Sequence, residues 1–302
     1  MRRVLATLTT ALVLPVGACG AEEGAAGGRT TVVATTTQAA DMAREVGGSR
    51  VRVIGLLGPN ADPHDHELRP GDVKALADAA LVVRSGGELD EWLQGAVESA
   101  GSGAPVLTLI DRVRRLGEDP HWWHDPRNGV LAVGAIAEAL ARADPGGAPD
   151  YERRARDYTA RLEALDAAAA RCLAAVPAAA RKLVTTHDAL GYLARRYDVD
   201  VVGTVIPSLS TQAQPSAGDV AKLVETIRRE RVRAIFAESS VEPKVEQAIA
   251  RETGARVGRA LWADTLGPAG SDGATYLGSL RANTASLVEG FTDGRRSCSL
   301  PR

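Results

Sequence analysis

All five histidines of this chain fall in three short stretches. His64 and His66 lie in Asp62-Pro63-His64-Asp65-His66-Glu67, His121 and His124 in Glu118-Asp119-Pro120-His121-Trp122-Trp123-His124-Asp125-Pro126, and His187 in Thr186-His187-Asp188. The first two stretches share the triplet Asp-Pro-His. Histidines scattered for packing would not cluster in this way, and imidazole is the commonest side-chain ligand of borderline divalent metals. His64, His121 and His187 are the candidate nitrogen donors. Asp264 is the candidate carboxylate, with Asp272 and Glu238 as competitors in the same half of the chain. Three neutral imidazoles and one carboxylate suit a tetrahedral or slightly expanded site, with metal–nitrogen distances of about 2.0–2.1 Å.

An α/β frame must bring these stretches together. Short β-branched runs at 31–35, 51–57, 81–84 and 106–110 alternate with helix candidates at 38–46, 72–79 and 89–99. A further helix runs from Pro126 to Ala143 and is broken by Asp144-Pro145-Gly146-Gly147. The alternation resumes past Pro177, with strands at 183–186, 199–205, 234–237 and 256–261 and helices at 189–197, 217–230, 244–252 and 274–291. Such βαβ patterning predicts parallel sheets with helices on their faces. Residues 149–176 contain no glycine and place Tyr151, Tyr158, Leu162, Leu165 and Leu173 near helical spacing. They predict one helix about 40 Å long. The expectation is two α/β lobes, 31–145 and 177–302, each with a mostly parallel sheet flanked by helices, joined by that long helix. His64, His121, His187 and Asp264 all follow carboxyl ends of strands, where open α/β sheets bind ligands, and two come from each lobe. A stiff connector further predicts loading by loop rearrangement and small lobe tilts rather than wide closure.

The N-terminus reads as an export signal, residues 1–18. Arg2 and Arg3 precede an apolar run from Val4 to Val16 that is too short to span a membrane comfortably. Val16-Gly17-Ala18-Cys19 is similar to a bacterial lipobox, which would make Cys19 a lipidated first residue and 19–30 a flexible tether. A cleaved secretory peptide with an incidental cysteine is the other reading, and both place the mature chain outside the cytoplasm. No later stretch approaches the roughly 20 apolar residues of a spanning helix. An anchored soluble domain on the outer face of the cell membrane is expected. In that compartment Cys172 and Cys298 are expected to pair, closing a loop that stabilises by about 4–5 kcal/mol on the chain-entropy model. A net charge of -2 leaves no electrostatic footprint for nucleic acid.

The residues resemble a known family, the zinc- and manganese-binding solute-binding lipoproteins of bacterial ABC importers. The resemblance rests on Asp62-Pro63-His64, on Asp119-Pro120-His121 with Trp123 and Asp125, on Thr186-His187-Asp188-Ala189-Leu190-Gly191-Tyr192, on Phe236-Ala237-Glu238-Ser239-Ser240 and on Ala263-Asp264 before Leu266. It covers nearly all of the mature chain. It implies that the positions of His64, His121, His187 and Asp264 supply the four ligands in that order and that the long helix is a stiff spine. It also implies a monomeric, non-enzymatic receptor that captures a metal outside the membrane and hands it to a permease. Zinc binders of the family often carry a His- and acid-rich loop between the first two ligands, and residues 69–118 contain no histidine.

Other readings compete at each position. Asp188 reads as a helix cap or a hydrogen-bond acceptor behind the ligands, and Glu238 as an acceptor behind the site before it reads as a ligand. His66 and His124 could ferry metal or hydrogen-bond around it, but partly solvated surface positions are the first expectation for both. Trp122 and Trp123 read as apolar walls. Three nitrogens favour zinc over manganese, with a manganese receptor as the alternative. A secreted metallohydrolase is the rival class, since Pro63-His64-Asp65-His66-Glu67 is faintly similar to the clustered histidines of dinuclear hydrolases. A binder of an organic ligand would want an aromatic-rich cleft, and the chain has two phenylalanines.

Overall fold

The computed structural model describes residues 28–301. The export signal, Cys19 and most of the tether lie outside the described residues. The N-terminal half runs β1 (Thr30–Ala34), α1 (Thr37–Gly47), β2 (Val51–Gly55), α2 (Pro70–Ala77), β3 (Leu81–Arg84), α3 (Leu93–Ser99), β4 (Val106–Thr108) and α4 (Pro126–Ala143). Its four strands form one parallel sheet in the order β2-β1-β3-β4. Val32, Val33 and Ala34 of β1 are fully buried on alternating faces, because α1 and α4 cover one side and α2 and α3 the other. This is why β1 reads as an unbroken apolar run instead of an alternating one.

Helix α5 (Ala148–Ala174) follows, 27 residues long. The C-terminal half continues β5 (Lys182–His187), α6 (Gly191–Tyr197), β6 (Asp200–Ile206), α7 (Ala217–Glu230), β7 (Ala234–Ile235), α8 (Lys244–Thr253), β8 (Arg256–Val257) and α9 (Tyr276–Phe291). Strand pairs β5-β6 and β7-β8 are parallel, and parallel bridges at Thr185–Phe236 and Glu238–Leu261 extend the ladder across them. Local chemistry sets the helix ends. Asp125 caps α4 through the Arg127 amide with Pro126 in the first turn, and Ser216 with Asp219 forms a capping box on α7. Gly254 ends α8 at φ 78°, a backbone conformation that glycine adopts without strain.

Two differences from the sequence expectation have clear causes. The helix expected at 89–99 is split into a 3-10 turn at Gly87–Asp90 and α3. Asp90 is pulled out of helical register because its buried carboxylate accepts from Thr35 Oγ1, Arg84 and the Gly86 amide. The second difference concerns the spine. Tyr151, Tyr158, Leu162 and Leu165 of α5 pack in the N-terminal core, while Ala169 and Leu173 pack in the C-terminal one. Helix α9 does the same: Tyr276, Leu277 and Leu280 belong to the first core, and Leu287, Val288 and Phe291 to the second. Two helices, not one, therefore cross the boundary. Cys172 on α5 and Cys298 beyond α9 are disulfide-bonded, with Cα atoms 5.9 Å apart, so the two crossings are also joined covalently. Among the described residues no helix is long and apolar enough to cross a membrane.

Candidate metal centre

His64, His121, His187 and Asp264 converge between the lobes, with one donor atom from each lying within 4.8 Å of the others. His187 is the last residue of β5, and Asp264 lies three residues past Leu261, whose bridge to Glu238 aligns the loop. The other two residues of the cluster, His64 and His121, sit outside the strands and α-helices. Each is preceded by an aspartate that folds a tight turn, with Asp62 Oδ1 accepting the His64 amide at 2.9 Å and Asp119 Oδ1 accepting the His121 amide at 2.9 Å.

The Nε2 atoms of His64, His121 and His187 stand 3.5, 3.4 and 3.3 Å from an oxygen of Asp264. A tetrahedral ion about 2.0–2.1 Å from each donor would space neighbouring donors by about 3.3–3.4 Å, so the spacing fits one ion in the middle. All three Nε2 atoms and both Asp264 oxygens are buried without a hydrogen-bond partner. Burying five unpaired polar atoms together is costly unless a cation satisfies them. Both carboxylate oxygens face the nitrogens, so the set can supply four or five bonds.

The far sides of two rings are held by carboxylates. His121 Nδ1 lies 2.7 Å from Asp119 Oδ1, and His187 Nδ1 lies 2.8 Å from Glu238 Oε1, which also accepts the His187 amide at 3.0 Å. A carboxylate on Nδ1 fixes the tautomer that leaves Nε2 free for metal. Burial alone would push His187 down, but Asp264 and Glu238 overcome it and raise it to about 9. Burial pushes Glu238 up, against the pull of His187. Burial would likewise raise Asp264, yet His187 and the other two imidazoles hold it well below the usual carboxylate range. The two carboxylates therefore favour the protonated form of His187, and a metal ion must compete with that proton for Nε2.

The remaining sequence candidates fall in different places. Glu238 sits behind His187 with both oxygens on its ring nitrogen, at 2.8 and 2.9 Å. Asp272 is exposed and bonded to Arg259 and Trp262. Asp188 does not cap α6: the N-cap position is Leu190, without a side-chain bond, and Asp188 is exposed with its amide on Ser208 O. The Asp188 carboxylate makes no hydrogen bond to the first turn of α6, which begins three residues on at Gly191. His124 corrects the surface expectation, being 1% exposed on the turn that follows His121, against the Trp123 ring. Its surroundings push it down to about 3, mainly by burial and then by the charge of His121, so it stays neutral. The His66 ring lies 4.8 Å from the Trp92 ring at a tilt of 48°, with Nε2 3.7 Å from Asp72. Trp122 and Trp123 are buried walls, and Trp123 also donates to the Ala263 carbonyl at 2.9 Å, tying the His121 loop to the Asp264 loop. Asp119 as a ring acceptor escaped the sequence reading. Its signal was present in Asp-Pro-His itself, where a carboxylate two residues before histidine can reach both its amide and its ring.

Fold and cluster together define the class: a two-lobed α/β protein whose facing lobes enclose side chains able to hold a metal ion. The chain belongs to the family described as zinc-uptake complex component A, periplasmic, which it matches over residues 32–290. It is 32% identical over 285 residues to the zinc-binding protein TroA of Treponema pallidum, covering 90% of this chain and 92% of TroA. It is 34% identical over 272 residues to the manganese-binding lipoprotein MntA of Bacillus subtilis, covering 85% and 88%. The solved structure of the Treponema pallidum protein superposes with a TM-score of 0.81 at 30% identity, covering 87% of this chain and 99% of that one. The family and fold anticipated from the sequence motifs are those found.

Proposed function

We propose that the protein is an extracytoplasmic receptor that captures one divalent metal ion with His64, His121, His187 and Asp264 and delivers it to an ABC permease. The observation that carries this reading is the set of five buried, unpartnered donor atoms at tetrahedral spacing. The family supports the role, since relatives are named as substrate-binding lipoproteins of metal ABC transporters. Zinc is the proposed cargo, because three nitrogen donors suit it better than manganese, which prefers oxygen. The relatives' names divide between the two metals, so manganese is the alternative. Lipidation at Cys19 would hold this monomer at the outer face of the membrane. A hydrolytic role is disfavoured: a catalytic zinc keeps an open position for water, and here every donor points inward from a buried position.

The test is a competition titration of the metal-stripped protein, first with zinc and then with manganese, against a chromophoric chelator. One tight zinc equivalent that manganese displaces weakly is expected. Preferential manganese binding would change the cargo, and two equivalents or weak binding would overturn the receptor reading in favour of a metallohydrolase.

A further inference from the structure

Among the four ligands, His64 is the one held from the opposite lobe. No carboxylate other than Asp264 pairs with its ring among the described residues. It rides on the 56–69 segment between β2 and α2, whose regular structure is a single 3-10 turn at Pro63–Asp65. Between residues 58 and 66, every described hydrogen bond that leaves the segment runs to the C-terminal half. The Asn60 amide donates to Leu266 O at 3.1 Å, Thr211 Oγ1 donates to Asp62 Oδ2 at 2.6 Å, and Gln212 Nε2 donates to His64 O at 2.5 Å. Gln212 Nε2 is also 3.5 Å from Asp65 Oδ1.

Thr211 and Gln212 lie on the loop between β6 and α7, which is rooted beside another ligand: Ser208 O accepts the Asp188 amide, next to His187. The loop is braced internally by Ser208 Oγ accepting the Ser210 amide and Ser210 Oγ accepting the Gln212 amide. Asp62 is the joint. One of its oxygens fixes the His64 amide and the other receives Thr211. Releasing Thr211 frees the carboxylate that shapes the His64 turn, and releasing Gln212 frees the His64 carbonyl.

We propose that Thr211 and Gln212 are positioning residues that latch His64 onto the other three ligands and so set the rate at which bound metal leaves. This rests on the receptor reading above. With α5 and α9 both packed in both cores, a wide hinge opening is costly, whereas breaking the three hydrogen bonds that Asn60, Thr211 and Gln212 make between the segment and the C-terminal half costs far less. The exit step is the lifting of the His64 segment.

The experiment is stopped-flow release of zinc from the purified protein into excess chelator, alongside association rates and the melting temperature of the metal-free form. Thr211→Val is expected to speed release roughly tenfold, as for loss of one hydrogen bond to a charged acceptor. Gln212→Ala is expected to speed it by a smaller factor, and both should leave association within about twofold and melting unchanged. Thr211→Ser, which keeps the hydroxyl, should restore the slow rate. Release at the unmodified rate in both variants, or failure of Thr211→Ser to restore it, overturns the latch while leaving the receptor reading intact. If the unmodified protein binds no zinc and no manganese, both fall.

Discussion

The two Asp-Pro-His triplets, 62–64 and 119–121, begin with the same turn and end in different mechanical states. In each, an aspartate oxygen accepts the histidine amide at 2.9 Å. At the second copy the same oxygen also takes the ring Nδ1, Tyr192 Oη donates to the Asp119 carbonyl, and the flanking indole ties the loop to Ala263. At the first copy the aspartate's second oxygen goes to Thr211 on the other lobe. His121 is fully buried, whereas His64 sits in a segment with exposed residues on both sides. An identical motif thus places one imidazole in a loop tied into the frame and one on a segment whose outward hydrogen bonds run to the other lobe, the strap of the latch proposed above. Holding a cargo tightly and letting it go require both.

The largest effects should separate these two states. His121→Ala is expected to weaken zinc binding by more than about 100-fold, beyond the 10- to 100-fold typical of losing an orienting partner. His64→Ala should lose less at equilibrium, because its ring starts more loosely held, and the competition titration ranks the two. Asp119→Asn should weaken binding by about 10- to 100-fold, since an amide cannot enforce the Nδ1–H tautomer as a carboxylate does. Asp62→Asn, which still accepts the His64 amide but loses the charged acceptor of Thr211, should weaken equilibrium affinity by no more than the roughly tenfold expected of Thr211→Val. Equal losses for Asp119→Asn and Asp62→Asn would erase the distinction.

The four residues that converge were legible in the sequence because such a cluster depends on residue type. Imidazoles are rare, and parallel strands deliver their loops to one edge, so His64, His121, His187 and Asp264 could be named before their geometry was known. Helices α4 and α7 were legible for a related reason, since Pro126 and the Ser216–Asp219 pair mark their starts chemically. Tertiary choices were not. Whether an aspartate caps a helix, like Asp125, or points to solvent, like Asp188, depends on how the chain leaves the preceding strand. The burial of His124 and the double membership of α9 depend on which core a given face meets, and apolar periodicity is the same for either core. The latch was invisible for the simplest reason: Thr211 and Asp62 are 149 positions apart, and neither type signals a partner.

A third ligand sharpens the comparison through pH. His187 is raised to about 9 in the metal-free site, because Asp264 and Glu238 outweigh its burial. A metal must displace that proton, so apparent zinc affinity should fall about tenfold per unit as pH drops below about 9. Calorimetry at pH 7.5 in buffers of different ionisation enthalpy should report about one proton released per zinc. Glu238→Gln removes one of the two carboxylates and should lower that number. An unchanged proton count would mean that Asp264 alone holds the charge on His187.

The smallest expected effect lies in the frame, away from both triplets. Asp41 on α1 accepts the Tyr276 amide at 2.8 Å at the start of α9, joining the two helices at the seam beside the site. Burial, the largest influence, together with Glu45, raises its carboxyl from 3.8 to about 6. The folded state therefore binds this proton more tightly than the unfolded one, and the stability it confers is complete below about pH 4 and lost as pH rises through 6. The loss is on the order of 2–3 kcal/mol. Asp41→Asn keeps an oxygen for Tyr276 and places its amide against the buried Tyr158 hydroxyl, which already interacts with the Asp41 carboxylate. The metal-free variant should melt about 5 °C higher than the unmodified protein at pH 7.5 and at the same temperature below about pH 4. Its zinc affinity and release rate should not move, because the seam fixes the frame and the His64 segment moves relative to it. A faster release in Asp41→Asn would transfer the moving part from the strap to the spine.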